Sequence, residues 1–435
     1  MDDVNVLVIG SGAREHALGF FLSKSRCVRK VFFANGNAGT LLDGFESIPI
    51  EVKVSNYERL AEFALEHGCI TVVGPEEPLA NGIVDVFNTK DAMILGPSKG
   101  ASMIESSKAY AKEFMQRHGI PTARFKVFDD PEVAKDYIST LDGGIVVKAD
   151  GLAYGKGVIV CSDKDEAYRA VDTIMNERVF GAAGEKVIVE ERLYGYEASF
   201  ICLSDGRSIV PLASSQDHKR LYDNDHGPNT GGMGAYSPNI MLDSKDIVYK
   251  QAMDIMKKAI NGLRSEGREF KGFLYAGLMV CNDDVYVLEF NARLGDPECQ
   301  VILPRLKSDL LEYVKHAIDG DLDTLGPMVW DARNAVCVVV ASNGYPFRYE
   351  KGKVIEGLRS NHRMDADTFI FHAGTALEDG KIVTNGGRVL SIVALDHSMR
   401  RAIEKAYNRV STVRFDGMHY RKDIGVKALI DIDSR

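Results

Sequence analysis

No stretch of this 435-residue sequence stays apolar long enough to cross a bilayer. Runs such as Ala335 to Ala341 fall far short of the ~20 residues a spanning helix needs. Basic charge is also in deficit. Lys and Arg number 53 against 62 Asp and Glu, so the net charge is −9. The overall field therefore offers no attraction to nucleic acid or anionic membrane, and any anionic ligand has to be held by local cation clusters. The seven cysteines contain no CxxC pair, and most lie in apolar surroundings such as "VCVVVA". Neither a disulfide framework nor a zinc site is expected, and a reducing compartment is. The opening "MDDVNVLVIG" is acidic and enters a strand at once, unlike a signal peptide, so a cytoplasmic protein is expected. Internal repeats and low-complexity segments are absent as well.

What is present is a chain too long for one core, so two to four domains are expected. Residues 4–97 alternate β-branched runs ("VNVLVIG", "VRKVFFA", "ITVVGP", "AMILGP") with amphipathic helices such as "NYERLAEFALEHG". That alternation predicts a doubly wound parallel α/β domain, with ligands at the carboxyl ends of its strands. The texture changes near Ser98. A helix "SKAYAKEFMQRHG" leads into a unit with strands at "GIVVKA", "GVIVCS" and "KVIVEERL", then into antiparallel-looking strands at "EASFICLSDG" and "SIVPLA". After the long helix "SKDIVYKQAMDIMKKAINGLRSEG" come "FLYAGLMVCND" and "DVYVLEFNARLGDPE", and from about residue 331 a small α/β tail domain.

Four segments carry candidate chemistry. In "GSGAREHA", Gly10 and Gly12 follow a strand, but Glu15 stands where a dinucleotide fingerprint needs its third glycine. The next strand ends in Asn35 instead of an acid, which argues against a nicotinamide site. A glycine turn opening onto a helix still suits a phosphate, and Glu76 of "GPEEP" suits ribose hydroxyls or a solvated turn. In "VVKADGLAYGKGVIV", Lys148 lies on a strand and Lys156 in a turn with Gly151, Gly155 and Gly157, which reads as a phosphate flap or a plain hairpin tip. In "VYVLEFNARLGDPE", Glu289 and Asn291 share one strand face. A carboxylate beside an amide oxygen suits a hard cation such as Mg²⁺, and equally a half-exposed strand. Last, "SQDHKRLYDNDHGPNTGGMGAYSP" spends 24 residues on charges and four glycines without a helix or strand period. By itself this is a surface loop as readily as a site.

Taken together, "GSGAREHA", "GPEEPLANGIVDVF", "KADGLAYGKGV", "EERLYGYEASF", "QDHKRLYDNDHGPNTGGMGAYSP", "EFNARLGDPE", "FHAGT" and "GGRVLSIVAL" resemble, in order, the blocks of the phosphoribosylamine–glycine ligase (glycinamide ribonucleotide synthetase) family of the ATP-grasp superfamily. The resemblance runs from Val4 to about Leu429. It implies three domains: 1–107, N-terminal α/β; 108–330, an ATP-grasp domain with a lid subdomain at about 122–193; and 331–435, a small C-terminal α/β domain. It implies ATP-dependent joining of glycine to 5-phospho-β-D-ribosylamine through a glycyl phosphate; another ATP-grasp carboxylate–amine ligase is the alternative.

By position, the resemblance assigns nucleotide binding to Lys108, Lys148, Gly151, Gly155, Lys156, Gly157, Glu190, Glu191, Leu193 and Glu197. Glu289 and Asn291 are the implied ligands of Mg²⁺ or Mn²⁺. Catalytic roles fall to Asp217, Lys219 and Arg293, and substrate contacts to Gly10, Ser11, Glu76, Asp217, Gly232, Gly234 and Asp296. Small-molecule substrates are the implied partners of a monomer, with neither nucleic acid nor membrane. The strand "FLYAGLMVC" carries none of the metal-binding acids that many ATP-grasp enzymes place before the Glu-x-Asn strand.

Overall fold

A computed structural model describes residues 3–152, 157–243, 245–358 and 367–433. Near the N-terminus a five-stranded parallel sheet has the order Glu46–Ile48, Val28–Asn35, Val4–Gly10, Cys69–Val73, Ile94–Leu95. Continuous apolar runs form four of these strands because helices cover both faces. The sequence reading did not include the edge strand Glu46–Ile48, whose three residues carry no apolar run. Strand order reverses between Val4–Gly10 and Cys69–Val73, so the crevice for ligands lies beyond Gly10 and Gly74.

A four-stranded antiparallel sheet follows in the order Phe125–Phe128, Val187–Glu191, Ile145–Ala149, Val158–Cys161. Helices Pro131–Ser139 and Lys164–Val171 begin on side-chain caps from Asp130 and Asp163 and supply Ala134, Ile138, Ala167 and Ala170 to its apolar side. This unit has a hydrophobic core of its own. Elsewhere the parts share cores: Val6, Leu203, Val314 and Val393 belong to one buried cluster. A second antiparallel sheet, Ile209–Pro211, Tyr196–Asp205, Lys271–Cys281, Asp284–Asn291, packs against the 20-residue helix Asp246–Ser265. Asn282 and Asp283, both at positive φ, make the two-residue turn that joins its last two strands.

The last sheet departs from the linear reading of the chain. Its order is Gln216–Asp217, Gly234–Ser237, Asn334–Ser342, Arg388–Asp396, Thr368–His372, with Met418–His419 on Asn334–Ser342. Two strands of the glycine-rich stretch thus enter the sheet of the C-terminal part. Two more, Arg220–Tyr222 and His226–Asn229, pair with each other. No periodicity announced them, because strands of two to four residues are specified by ladder bonds to their neighbours and not by an apolar face of their own. Among the described residues, no helix is long and apolar enough to cross a membrane.

Candidate active site

At the crevice, Gly10 adopts φ +117°, a conformation other residues rarely reach. Glu15 folds back so that its Oε2 accepts the Gly12 N–H at 2.6 Å, while its Oε1 pairs with Arg14 Nε at 2.6 Å. A side chain on Gly10, Gly12 or Gly74 would sit within 2.8 Å of Glu15 atoms. The glycines therefore make room for a buried glutamate that caps the helix Ala13–Leu22, and the Gly12 amide is already occupied. Ser11 is exposed, and its carbonyl accepts from Asn37 Nδ2 at 2.9 Å. Glu76, at the start of the helix Glu76–Ala80, faces Arg293 Nε at 3.2 Å. Burial would lift its carboxyl, but Arg293 and Arg14 outweigh that and bring it down to about 2. Glu105 is held by Arg293 Nη2 at 3.1 Å and by the Ala292 N–H at 2.7 Å. Burial wins there, lifting it to about 7.

The strand Asp284–Asn291 carries the expected metal pair. Its pairing with Lys271–Cys281 slips between Gly277 and Leu278, which leaves Leu288 as an extra residue, and the Leu288 carbonyl accepts from Lys148 Nζ at 3.1 Å. Glu289 is met by Lys219 Nζ at 3.4 Å, and Asn291 Oδ1 accepts from Arg293 Nη2 at 3.0 Å. Desolvation would raise Glu289, yet Lys219, Lys108, Lys148 and Arg293 together hold it at about 2. One ionised carboxylate thus sits at the focus of four cations. Among the described residues no cluster of three or more His, Cys, Asp or Glu could hold a metal. A carboxylate and an amide oxygen beside phosphate-binding lysines still fit a hard cation that takes most of its oxygens from a bound nucleotide.

Lys108 and Lys112 lie four apart on one face of the helix Lys108–Arg117. Lys108 Nζ donates to the Gly151 carbonyl at 3.0 Å, and burial lowers its pKa. Lys112 is 2% exposed; its Nζ donates to Thr122 Oγ1 at 2.6 Å and to Glu190 Oε2 at 2.9 Å. Glu190 Oε1 holds Lys148 Nζ at 2.7 Å. Glu190 is therefore the anion between two lysines. Burial, with Lys148 adding to it, pushes Lys112 down to about 8. Glu191 binds Arg124 at the surface, and its amide and that of Arg192 donate to the Arg124 and Gly144 carbonyls. Leu193 lies two residues past the end of the strand Val187–Glu191. Gly151 at φ +140° approaches Ala183, and the Gly157 carbonyl accepts from the Ala149 N–H. Gly155 and Lys156 lie outside the described residues. Glu197 sits on the strand Tyr196–Asp205, close enough to raise the pKa of Asp217.

In the polar stretch, Asp217 is half-buried and desolvation lifts it to about 8, against the pull of Lys219. For Lys219 the balance is reversed: burial would lower it, but Glu289 and Asp217 keep it well above the usual lysine value. His218, between them, points the other way: it is fully buried against Tyr236 and, through burial, depressed to about 3. The two expected glycine contacts have packing reasons. A side chain at Gly232 would meet Pro297 at 2.4 Å, and one at Gly234 would meet the Cys337 carbonyl at 2.6 Å. Asp296 is paired with Arg388 at 2.8 Å and accepts from Gln300 Nε2 at 2.7 Å. The sequence reading did not single out Lys112, Glu105 or Arg388. The four-residue spacing from Lys108 would have found Lys112; Arg388 has no local signal.

Residues 4–105, 106–299 and 335–427 match the N domain, the ATP-grasp (A) domain and the C domain of phosphoribosylglycinamide synthetase. The chain is 47% identical over 429 residues to a Pseudomonas aeruginosa protein named phosphoribosylamine–glycine ligase, covering 98% of both. It is 50% identical over 426 residues to the Gallus gallus trifunctional purine biosynthetic protein adenosine-3, covering 98% of this chain and 42% of that one. The chain thus spans about two-fifths of the length of the trifunctional relatives. A crystal structure of phosphoribosylamine–glycine ligase from Thermotoga maritima superposes with TM-score 0.82 at 36% identity, covering 97% of this chain and 100% of that one.

Proposed function

The chain belongs to the phosphoribosylglycinamide synthetase family, and on that footing we propose that it joins glycine to 5-phospho-β-D-ribosylamine with conversion of ATP to ADP and phosphate. The observation that carries this reading is the ionised Glu289 carboxylate at the focus of Lys108, Lys148, Lys219 and Arg293, beside the crevice of the parallel sheet. A carboxylate is a poor acyl donor because its leaving group is oxide. Glycine therefore attacks the γ-phosphorus first and releases ADP. The ribosylamine nitrogen then attacks the acyl carbon, phosphate leaves, and the nitrogen gives up a proton as the amide forms.

In this reading the chain positions reactants and neutralises charge. Lys108, Lys148, Gly151 and Gly157 hold the nucleotide phosphates. The backbone near Glu190–Leu193 takes adenine, and Glu197 takes the ribose. Glu289 and Asn291 would hold Mg²⁺ or Mn²⁺, which supplies positive charge to the phosphates. For that, Arg293 and Lys219 exchange their present partners, Asn291 and Glu289, for phosphate oxygens. Asp217 holds the substrate amine, and Lys219 faces the acyl phosphate. Gly10, Ser11, Glu76, Gly232, Gly234 and Asp296 border the place for the ribosylamine. The division at residues 107/108 and 330/331, with the lid at about 122–193, belongs to the same reading, as do the cytoplasmic location and the monomer.

The test is ADP release with ATP, Mg²⁺, glycine and ribosylamine phosphate generated in situ. ADP formation that ignores either glycine or the amine refutes this assignment. Replacement of glycine by another carboxylate would point to a different ATP-grasp ligase.

A further inference from the structure

Two side chains of the C-terminal part reach the polar stretch. Tyr345 Oη accepts the Gly231 N–H at 2.9 Å, and Arg388 Nη1 donates to the Gly231 carbonyl at 2.6 Å. Both backbone groups of Gly231 are thus held by one distant part of the chain. A Cβ at 231 would sit 3.1 Å from Arg388 Cζ and 3.2 Å from Tyr345 Oη, so a larger residue would push these two side-chain ends back by a few tenths of an ångström. The neighbouring Thr230 donates its amide and its hydroxyl to the Lys219 carbonyl, each at 2.8 Å, and its Oγ1 accepts the Gly232 N–H at 3.0 Å. The same guanidinium grips the strand-end loop, donating to the Asp296 carbonyl and to Asp296 Oδ2, each at 2.8 Å. Asp296 in turn lies beside Gly12 of the N-terminal turn.

One guanidinium therefore ties the segment that carries Lys219 to the loop that carries Asp296. The nucleotide lysines share none of these bonds; Lys148 is set by Glu190 and Leu288, and Lys108 by Gly151. We propose that Arg388 and Tyr345 are positioning residues, which fix Lys219 and Asp296 for the glycine and amine half of the reaction and leave the nucleotide half untouched. This rests on the ligase reading above. Arg388 suits the task because its planar fork serves several acceptors in fixed directions, which a lysine cannot do.

The test compares Arg388→Gln, Arg388→Lys and Tyr345→Phe in the full chain. Steady-state kinetics, calorimetric binding of ADP with Mg²⁺, melting temperature and amide hydrogen exchange across residues 227–234 are the readouts. Arg388→Gln should lower kcat/KM for glycine and for the amine by about 10–10²-fold, the scale of a misplaced reactive group, while ADP affinity stays within about twofold. Arg388→Lys should recover melting temperature more than rate, because an ammonium keeps the Asp296 pair but not the carbonyl contacts. Tyr345→Phe should speed exchange of the Gly231 amide. Wild-type glycine kinetics in Arg388→Gln, a loss of ADP affinity in step with the rate, or full recovery by lysine would each overturn the proposal. If the wild-type chain itself fails to release ADP in response to glycine and amine, the ligase reading falls. Exchange then decides the clamp alone: faster exchange in Arg388→Gln and in Tyr345→Phe upholds it, and unchanged exchange in either overturns it.

Discussion

Lys112→Met perturbs the most enclosed charge cluster next to the candidate site. Lys112 and Glu190 are each 2% exposed, with Glu190 shared between Lys112 and Lys148 at 2.9 and 2.7 Å. At an effective dielectric of 20, the Lys112–Glu190 pair gains about 6 kcal/mol of Coulomb energy. Burial and the neighbouring Lys148 take more than that back, since Lys112 ends near 8 from an ordinary 10.5. The sign of the linkage follows. Between pH 8 and 10.5 the unfolded lysine is still protonated while the folded one has lost its proton, so the cost of burying the charged Lys112 is relieved and stability rises with pH through that window. The shift of 2.5 corresponds to about 3 kcal/mol. For 435 residues, with an unfolding entropy of about 0.9 kcal/mol/K, that is about 3 °C in melting temperature. The assay is differential scanning fluorimetry of both proteins from pH 7 to 10.5. The difference between them cancels the buried cysteines, which titrate nearby in the opposite sense. Wild type should gain about 3 °C on Lys112→Met across the window. A constant difference would refute the charged, burial-penalised lysine.

Three further outcomes are expected. Glu289→Ala should lower turnover by roughly 10²-fold or more, because a preorganised charge contact is lost; near-normal steady-state activity would show that the metal pair lies elsewhere. Gly234→Ala should destabilise by about 1–3 kcal/mol in urea titration, since the new methyl meets the Cys337 carbonyl at 2.6 Å and a backbone atom of a central strand has little room to yield; an unchanged midpoint would contradict that packing. Burial would raise Glu266, but hydrogen bonds from His118, Tyr110 and Arg117 outweigh it and hold it near 2. Its stabilisation is present above about pH 4.5 and is lost as pH falls toward 2. Glu266→Gln should therefore cost about 1 kcal/mol at pH 7, after allowance for solvent screening, and flatten the acid limb of the stability curve. Equal acid limbs in the two proteins would contradict it.

The sequence by itself determined four of the five strands of the parallel sheet of residues 4–97, because doubly covered strands need unbroken apolar runs and such runs are visible in one dimension. It also determined the pairing of Glu289 with Asn291 on one strand face, since strand alternation is a local property, and the family, since whole blocks recur in order. Tertiary structure alone decided why those blocks are built as they are. Gly10, Gly12 and Gly74 are bare because Glu15 fills the space beside them. The strands Gln216–Asp217 and Gly234–Ser237 exist because Asn334–Ser342, about a hundred residues on, offers a ladder partner. Glu190 is an anion between two lysines, and Arg388 reaches Gly231 and Asp296, only once three sheets have packed together. Burial and long-range hydrogen bonds set the charge states of Asp217, Glu105 and Lys112, and neither can be read from neighbours in sequence.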